Sequence, residues 1–428
     1  MKNLLWVLIP AILFSCKHTD DKIVDQVFAD SLVNHYTSPA TEVAANGNLL
    51  FWKKRLDSIP DNFVNAPEYA SALVSSFRLH GSIADLLKAD SLYAKANEAN
   101  QGKEPGIFRT MASLAMLQHQ FIRTDQFLKK ALEIEGLSMP NAFLEFDLAF
   151  ERGEYQRAKK LLPSLKAANE YGYLFRKAKY EHYSGSLDTA IDCMVKAAQK
   201  MDGNIYLQQA AYSNAADLYI HKGDLQSAYD LYKKSLLISP TDMHSMTGLG
   251  WIALVHDKND SLAERIFKFV QLHSQAPDIL LKLEQLEEAR GNTAMQKQYA
   301  EAFAKKAGDS VYGRMYSKYL IDLYTSILAQ PAKAVELSAA ELNNRPTAQI
   351  YAWYAWSLYC NNEKDKAYTI YKGQVSGKPL EGPELYYMGK LMQGLDKGYN
   401  ARQFFKAADK NRYDLSPGQQ RDLAKNLE

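Results

Sequence analysis

The sequence predicts an all-α fold, a solenoid of about ten helix-turn-helix repeats, on three observations. From Leu49 onward apolar residues recur at helical spacing, and no run alternates as a strand would. The stretch AYSNAADLYIHKGDLQSAYDLYKKSLLISP, residues 211–240, reads as two antiparallel helices joined by a turn. The small residue opening its second helix recurs at a nearly constant step through most of the chain.

Composition agrees with an ordinary folded protein. Of 428 residues, 47% are hydrophobic and 23% charged, and 14 Pro and 22 Gly exclude a collagenous or low-complexity chain. The 51 basic and 49 acidic side chains leave a formal charge of +2, which gives no broad electrostatic footprint for nucleic acid, while a sequence pI near 8.1 leaves room for a local basic patch. The pairs Lys129-Lys130, Lys159-Lys160, Lys233-Lys234 and Lys305-Lys306 sit inside amphipathic segments and read as solvated helix faces.

In chain order, the first element is MKNLLWVLIPAILFSC. Lys2 precedes an apolar run from Leu4 to Phe14 broken by Pro10, shorter than the roughly 20 helical residues that span a bilayer core. Residues 1–15 therefore read as a secretory signal. Leu13-Phe14-Ser15-Cys16 resembles the bacterial lipobox, which implies that Cys16 is lipidated and becomes the first mature residue. Several acyl chains anchor stably, so the expectation is a chain fixed to the cell envelope, at the periplasmic or surface face of the outer membrane, without spanning it. Lys17 followed by Asp20-Asp21 is similar to the surface-export signals of Bacteroidota lipoproteins. Residues 16–48 mix charge, Ser, Thr and Asn with little apolar patterning, and are expected to be a lipidated tether with one short helix. Cys193 and Cys360 each lie in a helical pattern and read as buried free thiols.

The repeat array is expected over 49–415. In its clearest unit Tyr212, Ala216 and Tyr219 share one face of the first helix, and Ala228, Tyr232 and Ser235 one face of the second. Small residues let the two backbones approach while tyrosines fill the space beside them. Pro240 cannot continue a helix and ends the unit. Positions comparable to Ala228 fall at Ala89, Thr124, Ala158, Ala190, Ala263, Met295, Ala334, Ala367 and Ala401, in steps of 32 to 39 residues. A large residue follows four positions later, as at Tyr93, Phe267, Tyr371 and Phe405. This register resembles the tetratricopeptide repeat, a unit of about 34 residues with small residues at its eighth, twentieth and twenty-seventh positions. The resemblance implies a right-handed superhelix with a concave binding surface. After it, Ser416, Pro417 and Gln419 form a capping-box pattern that predicts a closing helix over 416–428.

Motifs that suggest chemistry dissolve in this register. TGLGWIA, residues 247–253, holds Gly248, Gly250 and Ala253 in a dinucleotide-like spacing, but a phosphate-binding turn needs a preceding strand and a βαβ unit. Gly250 instead occupies the eighth position, like Ala216 and Gly389, and is expected to let two helices touch. In HDKNDSL, Asp257, Asn259 and Ser261 are spaced like a calcium loop, yet Leu262 and Lys268 stand where the turn Gly and bidentate Glu belong, so a lengthened turn is expected. Glu284, Glu287 and Glu288 read as a solvated face. No zinc, thiol, hydrolase or P-loop motif is present, and neither metal, cofactor nor catalysis is expected.

The function expected is an interaction scaffold for a protein or peptide at the envelope; the alternative is glycan or nutrient binding for an outer-membrane uptake system. The resemblance implies that the second, fifth, ninth, twelfth and thirteenth positions face the concave side. It thereby nominates Phe143, Phe150, Phe175, Tyr183, Trp251, Tyr319, Trp356, Tyr359 and Tyr386. Either these aromatics form an open platform, or successive superhelical turns or the tether cover them. Oligomeric state is left open by the sequence.

Overall fold

The computed structural model describes residues 22–60, 64–395 and 400–428, so the signal segment 1–15 and Cys16 lie outside the described residues. Helices α1 (Gln26–Asn34) and α2 (Ala40–Ser58) come first. Ten antiparallel hairpins follow. The first three are α3 (Asn65–His80) with α4 (Ile83–Ala99), α5 (Pro105–Leu117) with α6 (Phe121–Glu135), and α7 (Met139–Glu151) with α8 (Tyr155–Ala168). Next are α9 (Glu170–Tyr183) with α10 (Leu187–Lys200), α11 (Ile205–Lys222) with α12 (Leu225–Ile238), and α13 (Met243–Val255) with α14 (Asp260–His273). The last four are α15 (Asp278–Arg290) with α16 (Thr293–Ala307), α17 (Ser317–Thr325) with α18 (Pro331–Asn344), α19 (Ala348–Cys360) with α20 (Lys364–Ile370), and α21 (Gly382–Leu395) with α22 (Ala401–Asp409). Helix α23 (Pro417–Leu427) closes the chain, and no strand occurs among the described residues. The chain is an all-α solenoid of tetratricopeptide-like hairpins.

The hairpins form for the local reasons the sequence suggests. Gly223 ends α11 at φ 85°, in the left-handed region that glycine enters freely, and the Asp224 carboxylate then accepts the Ser227 N–H to start α12. Ala228 and Tyr232 are buried in one cluster with Ala216, Ser235 is buried with its hydroxyl donating to Asp242 at 2.6 Å, and Tyr219 and Pro240 are half-buried at the margins. A Cβ on Gly250 would lie 2.5 Å from the Phe267 ring, and one on Gly389 2.6 Å from the Phe405 ring. Glycine at the eighth position thus admits a phenyl ring from the second helix of the same hairpin. Ala367 is fully buried and Ala401 half-buried. The register slips once: in α16 the buried residues are Ala300, Phe303 and Ala307, so Gln296, not Met295, opens the packing face. Gln296 Nε2 donates to buried Glu284 at 2.7 Å, a polar contact that a search for small residues overlooks.

Two expectations about the chain's course are corrected. The described part of the segment read as a tether, from residue 22, holds α1 and the start of α2 and is docked on the array. The Asp257 carboxylate accepts the backbone N–H groups of Ile23 and Val24 at 3.0 and 2.9 Å, and Tyr36 packs on Phe269 and His273. The run Glu284, Glu287, Glu288 is not a solvated face: Glu284 and Glu287 are buried, Glu287 accepts from Arg290 and Asn292, and Glu288 accepts the Gly418 N–H of α23 at 2.9 Å. Cys193 and Cys360 are free thiols, Cys193 buried and Cys360 partly so, and burial raises both pKa values, that of Cys360 to about 12.

The solenoid winds tightly enough for its turns to touch. The turn after α3 meets the junction of α14 and α15, where Gln275 N donates to His80 O at 2.7 Å. Arg345 Nη1, after α18, donates to Glu151 of α7 at 3.0 Å, and Asn411 Nδ2, after α22, donates to His221 O of α11 at 2.8 Å. Each contact joins a hairpin to a segment five to six hairpins further along, so the first helices line a narrow axis.

Candidate binding grooves

The nine nominated aromatics do not form one open strip. Trp251, Trp356 and Tyr386 are only 7%, 8% and 6% exposed. Trp251 Nε1 donates to the carbonyl of Tyr413 at 2.9 Å, beneath the returning C-terminal segment. Trp356 donates to Thr325 at 3.1 Å and lies 5.4 Å from the Tyr359 ring, while the Tyr386 hydroxyl donates to Asp422 of α23 at 2.7 Å. Phe150 and Tyr183 belong to an aromatic cluster in which Tyr155 and Tyr183 stack at 3.6 Å, and Phe175 packs on Tyr171. Of the nine, Tyr319 is exposed toward the axis and Phe143 lines an open groove. The physical reason is winding: the last hairpins and α23 fill the axis beside α11, α13 and α15.

Along that axis the side chains are charged. The Asp217 carboxylate accepts the Tyr232 hydroxyl at 2.5 Å and contacts His244 Nε2 at 2.8 Å. Asp217 holds the His244 imidazole up at about 9, so it is cationic at neutral pH. Lys282 stands 3.8 Å over the Trp251 ring, and burial draws its pKa down to about 8 against the opposing pull of Asp278 and Asp217. Lys318 pairs with buried Glu384 at 3.1 Å. Positive and negative groups alternate and largely neutralise one another. Among the described residues no group of three or more His, Cys, Asp or Glu side chains could hold a metal ion.

The open groove lies at the N-terminal end, on the first helices α3, α5, α7 and α9, with a volume of about 680 Å³. Its donors are guanidinium groups. Arg176 donates to Asp147 at 2.5 Å and to the Phe143 carbonyl at 3.3 Å, with its Cζ 4.5 Å over the Phe143 ring. Arg109 pairs with Glu135, and Arg78 is exposed with no ion pair among the described residues. The hydroxyls of Ser75, Thr110 and Ser113 each donate one helical turn back, at 3.2, 3.1 and 2.9 Å, which leaves their lone pairs as acceptors. A Cβ on Gly172 would approach Phe143 to 2.9 Å, so this glycine lets the ring lie between α7 and α9. Sequence reasoning missed the arginines because it looked for aromatics. Arg109 holds the fifth position of its unit, the place that Phe143 and Phe175 hold in theirs, and that coincidence was the available signal.

No protein-family model and no curated protein matches the chain. Solved structures similar to it are helical-repeat proteins. A tetratricopeptide repeat protein from Parabacteroides merdae is 18% identical, covering 64% of this chain and 98% of its own, with a TM-score of 0.35. The pilF protein of Pseudomonas aeruginosa is 12% identical over 50% of this chain and 96% of its own, at 0.37. Yeast Tom70 is 14% identical over 94% and 89%, also at 0.37. At these identities and scores the fold stands on the hairpin register of this chain itself.

Proposed function

We propose that this solenoid is a lipid-anchored interaction scaffold of the bacterial cell envelope, and that it grips an extended peptide carrying an acidic side chain in the N-terminal groove. The observation that carries the reading is the pairing of unspent donors and acceptors along one groove. Arg78 offers a guanidinium for a carboxylate or a peptide carbonyl, and Ser75, Thr110 and Ser113 offer lone pairs for peptide N–H groups. Phe143 supplies an apolar floor. Burial of Trp251 and Trp356 favours a peptide over a glycan, since a sugar ring would need those faces free. The anchor and envelope location rest on the Ser15-Cys16 pattern and the preceding apolar run.

The test is co-purification from native membranes with mass-spectrometric identification of partners, run beside Arg78→Glu and Ser75→Trp. Both positions are exposed, so both variants keep the fold. A partner lost from both variants supports the groove; an unchanged partner set in both rejects it.

A further inference from the structure

The two ends of the solenoid are capped differently. Helix α23 turns Arg421 and Lys425 to solvent, the polar outer face that a terminal cap needs. Helix α2 has apolar residues on both sides. Its inner side chains Leu49, Trp52 and Leu56 pack against Tyr69, Leu73 and Leu92 of the first hairpin. On the opposite side Val43, Leu50 and Phe51 are 59%, 66% and 52% exposed. Val43 and Leu50, seven residues apart, lie nearly in line, and Phe51 is roughly 100° round from Leu50, so the three make one outward patch. A helix apolar on both sides is one that expects cover on both.

The geometry points to a lipid surface as that cover: we propose that the outer patch of α2 lies in the membrane interface, as a second attachment beside the lipid. The inference rests on the lipid-anchor reading for its orientation. Five residues, 17–21, separate Cys16 from Lys22, where the described chain begins, and the six steps between the two reach at most roughly 20 Å when fully extended. A lipidated Cys16 therefore keeps Lys22 and the start of α1 near the bilayer, and α2 follows α1 after five residues, with the linker's Tyr36 hydroxyl donating to Glu42 of α2 at 3.0 Å. Charge agrees as well. Lys53 is paired with Asp57 at 3.1 Å, while Lys54 and Arg55 are exposed on α2, and the Arg55 guanidinium lies 5.7 Å from the Phe51 ring, the mixture of basic and aromatic groups that seats a helix among anionic headgroups. A shallow helical contact of this kind would fix how the solenoid stands on the surface, which a lipid held at one residue does not.

The test uses the chain from Lys17 onward, without the apolar leader or the lipid; every described contact lies within residues 22–428, so none is lost. It is sedimented with phosphatidylethanolamine vesicles with and without phosphatidylglycerol. Binding that rises with phosphatidylglycerol and weakens about tenfold or more in Leu50→Asp/Phe51→Asp is the expected result. Leu237→Asp, an equally exposed apolar site on α12, serves as the control and should bind like the parent. Circular dichroism verifies that the helices are intact. No vesicle binding by the parent chain, or equal binding by all three proteins, overturns the proposal. So does a dimer in light scattering that Leu50→Asp dissociates, which would assign the patch to a second copy. None of these outcomes bears on Cys16, whose anchoring is read separately by membrane fractionation of the full-length protein.

Discussion

Asn344 and Phe121 are joined across 223 residues by a buried hydrogen bond: Asn344 Oδ1 accepts the Phe121 N–H at 3.0 Å. Its Nδ2 also donates to the neighbouring His119 carbonyl at 2.7 Å. One side chain thus satisfies two backbone groups of the turn between α5 and α6, and so clamps one superhelical turn to the next. Asn344→Ala would strand both groups, at a cost of about 1–3 kcal/mol. A lower thermal midpoint is expected; an unchanged midpoint would mean that the turns are held elsewhere.

Close helix approach inside a hairpin is tested by Gly250→Ala and Ala228→Leu. The new Cβ of the first would sit 2.5 Å from fully buried Phe267, and the second would enlarge a site with no free surface. Overpacking of either should cost about 1–3 kcal/mol and lower the melting temperature. Near-parental stability of both variants would show that the packing faces are placed wrongly.

Glu284 makes the stability depend on pH in a definite direction. Burial raises its carboxyl to about 8, opposed by the Gln296 hydrogen bond and reinforced by Glu288. The folded state therefore binds a proton that the unfolded state releases above the ordinary glutamate value of 4.5. The resulting stability is complete below 4.5 and is lost as pH rises through about 8. Glu284→Gln keeps a neutral side chain at every pH, so its midpoint should gain on the parent as pH rises across that window. Parallel curves for the two proteins would contradict the buried neutral carboxyl.

Asp257 holds the N-terminal segment by two backbone N–H groups, at 3.0 and 2.9 Å. Asp257→Ala should loosen residues 22–36 while sparing the hairpins. Hydrogen exchange is the measurement: faster exchange at Ile23 and Val24 with an unchanged array is expected, and unaltered protection there would deny Asp257 this role.

Cys16 is the expected lipid attachment site, on the Ser15-Cys16 pattern. Cys16→Ala should move the protein out of the membrane fraction after a high-salt wash that strips peripheral contacts. Retention after that wash would remove the anchor from the proposal.

Much of the architecture was legible in the sequence. Ala228, Ala263, Ala334 and Ala367 mark second helices because the contact they permit lies within one hairpin, where the small-large alternation is written in residues close in sequence. The register slipped at Met295 because Gln296 meets Glu284 through a hydrogen bond, and an amide carries no size signal. The groove was half legible. Phe143 was found by its position, whereas Arg78 is conspicuous only once its lack of an ion pair is seen.

By itself the sequence determined the class of the fold, the ten hairpins and, outside α15 and α16, the small-residue faces on which their helices meet, because each follows from interactions within about 34 residues. Tertiary structure alone decided which inward faces stay open. Superhelical winding sums small rotations at every hairpin junction, and no single repeat encodes the total. That sum brings Tyr413 over Trp251 and Asp422 to Tyr386, while the groove along α3, α5, α7 and α9 remains uncovered. The same long-range closure drew Ile23 and Val24 onto Asp257, a pairing more than 230 residues apart that local periodicity cannot express.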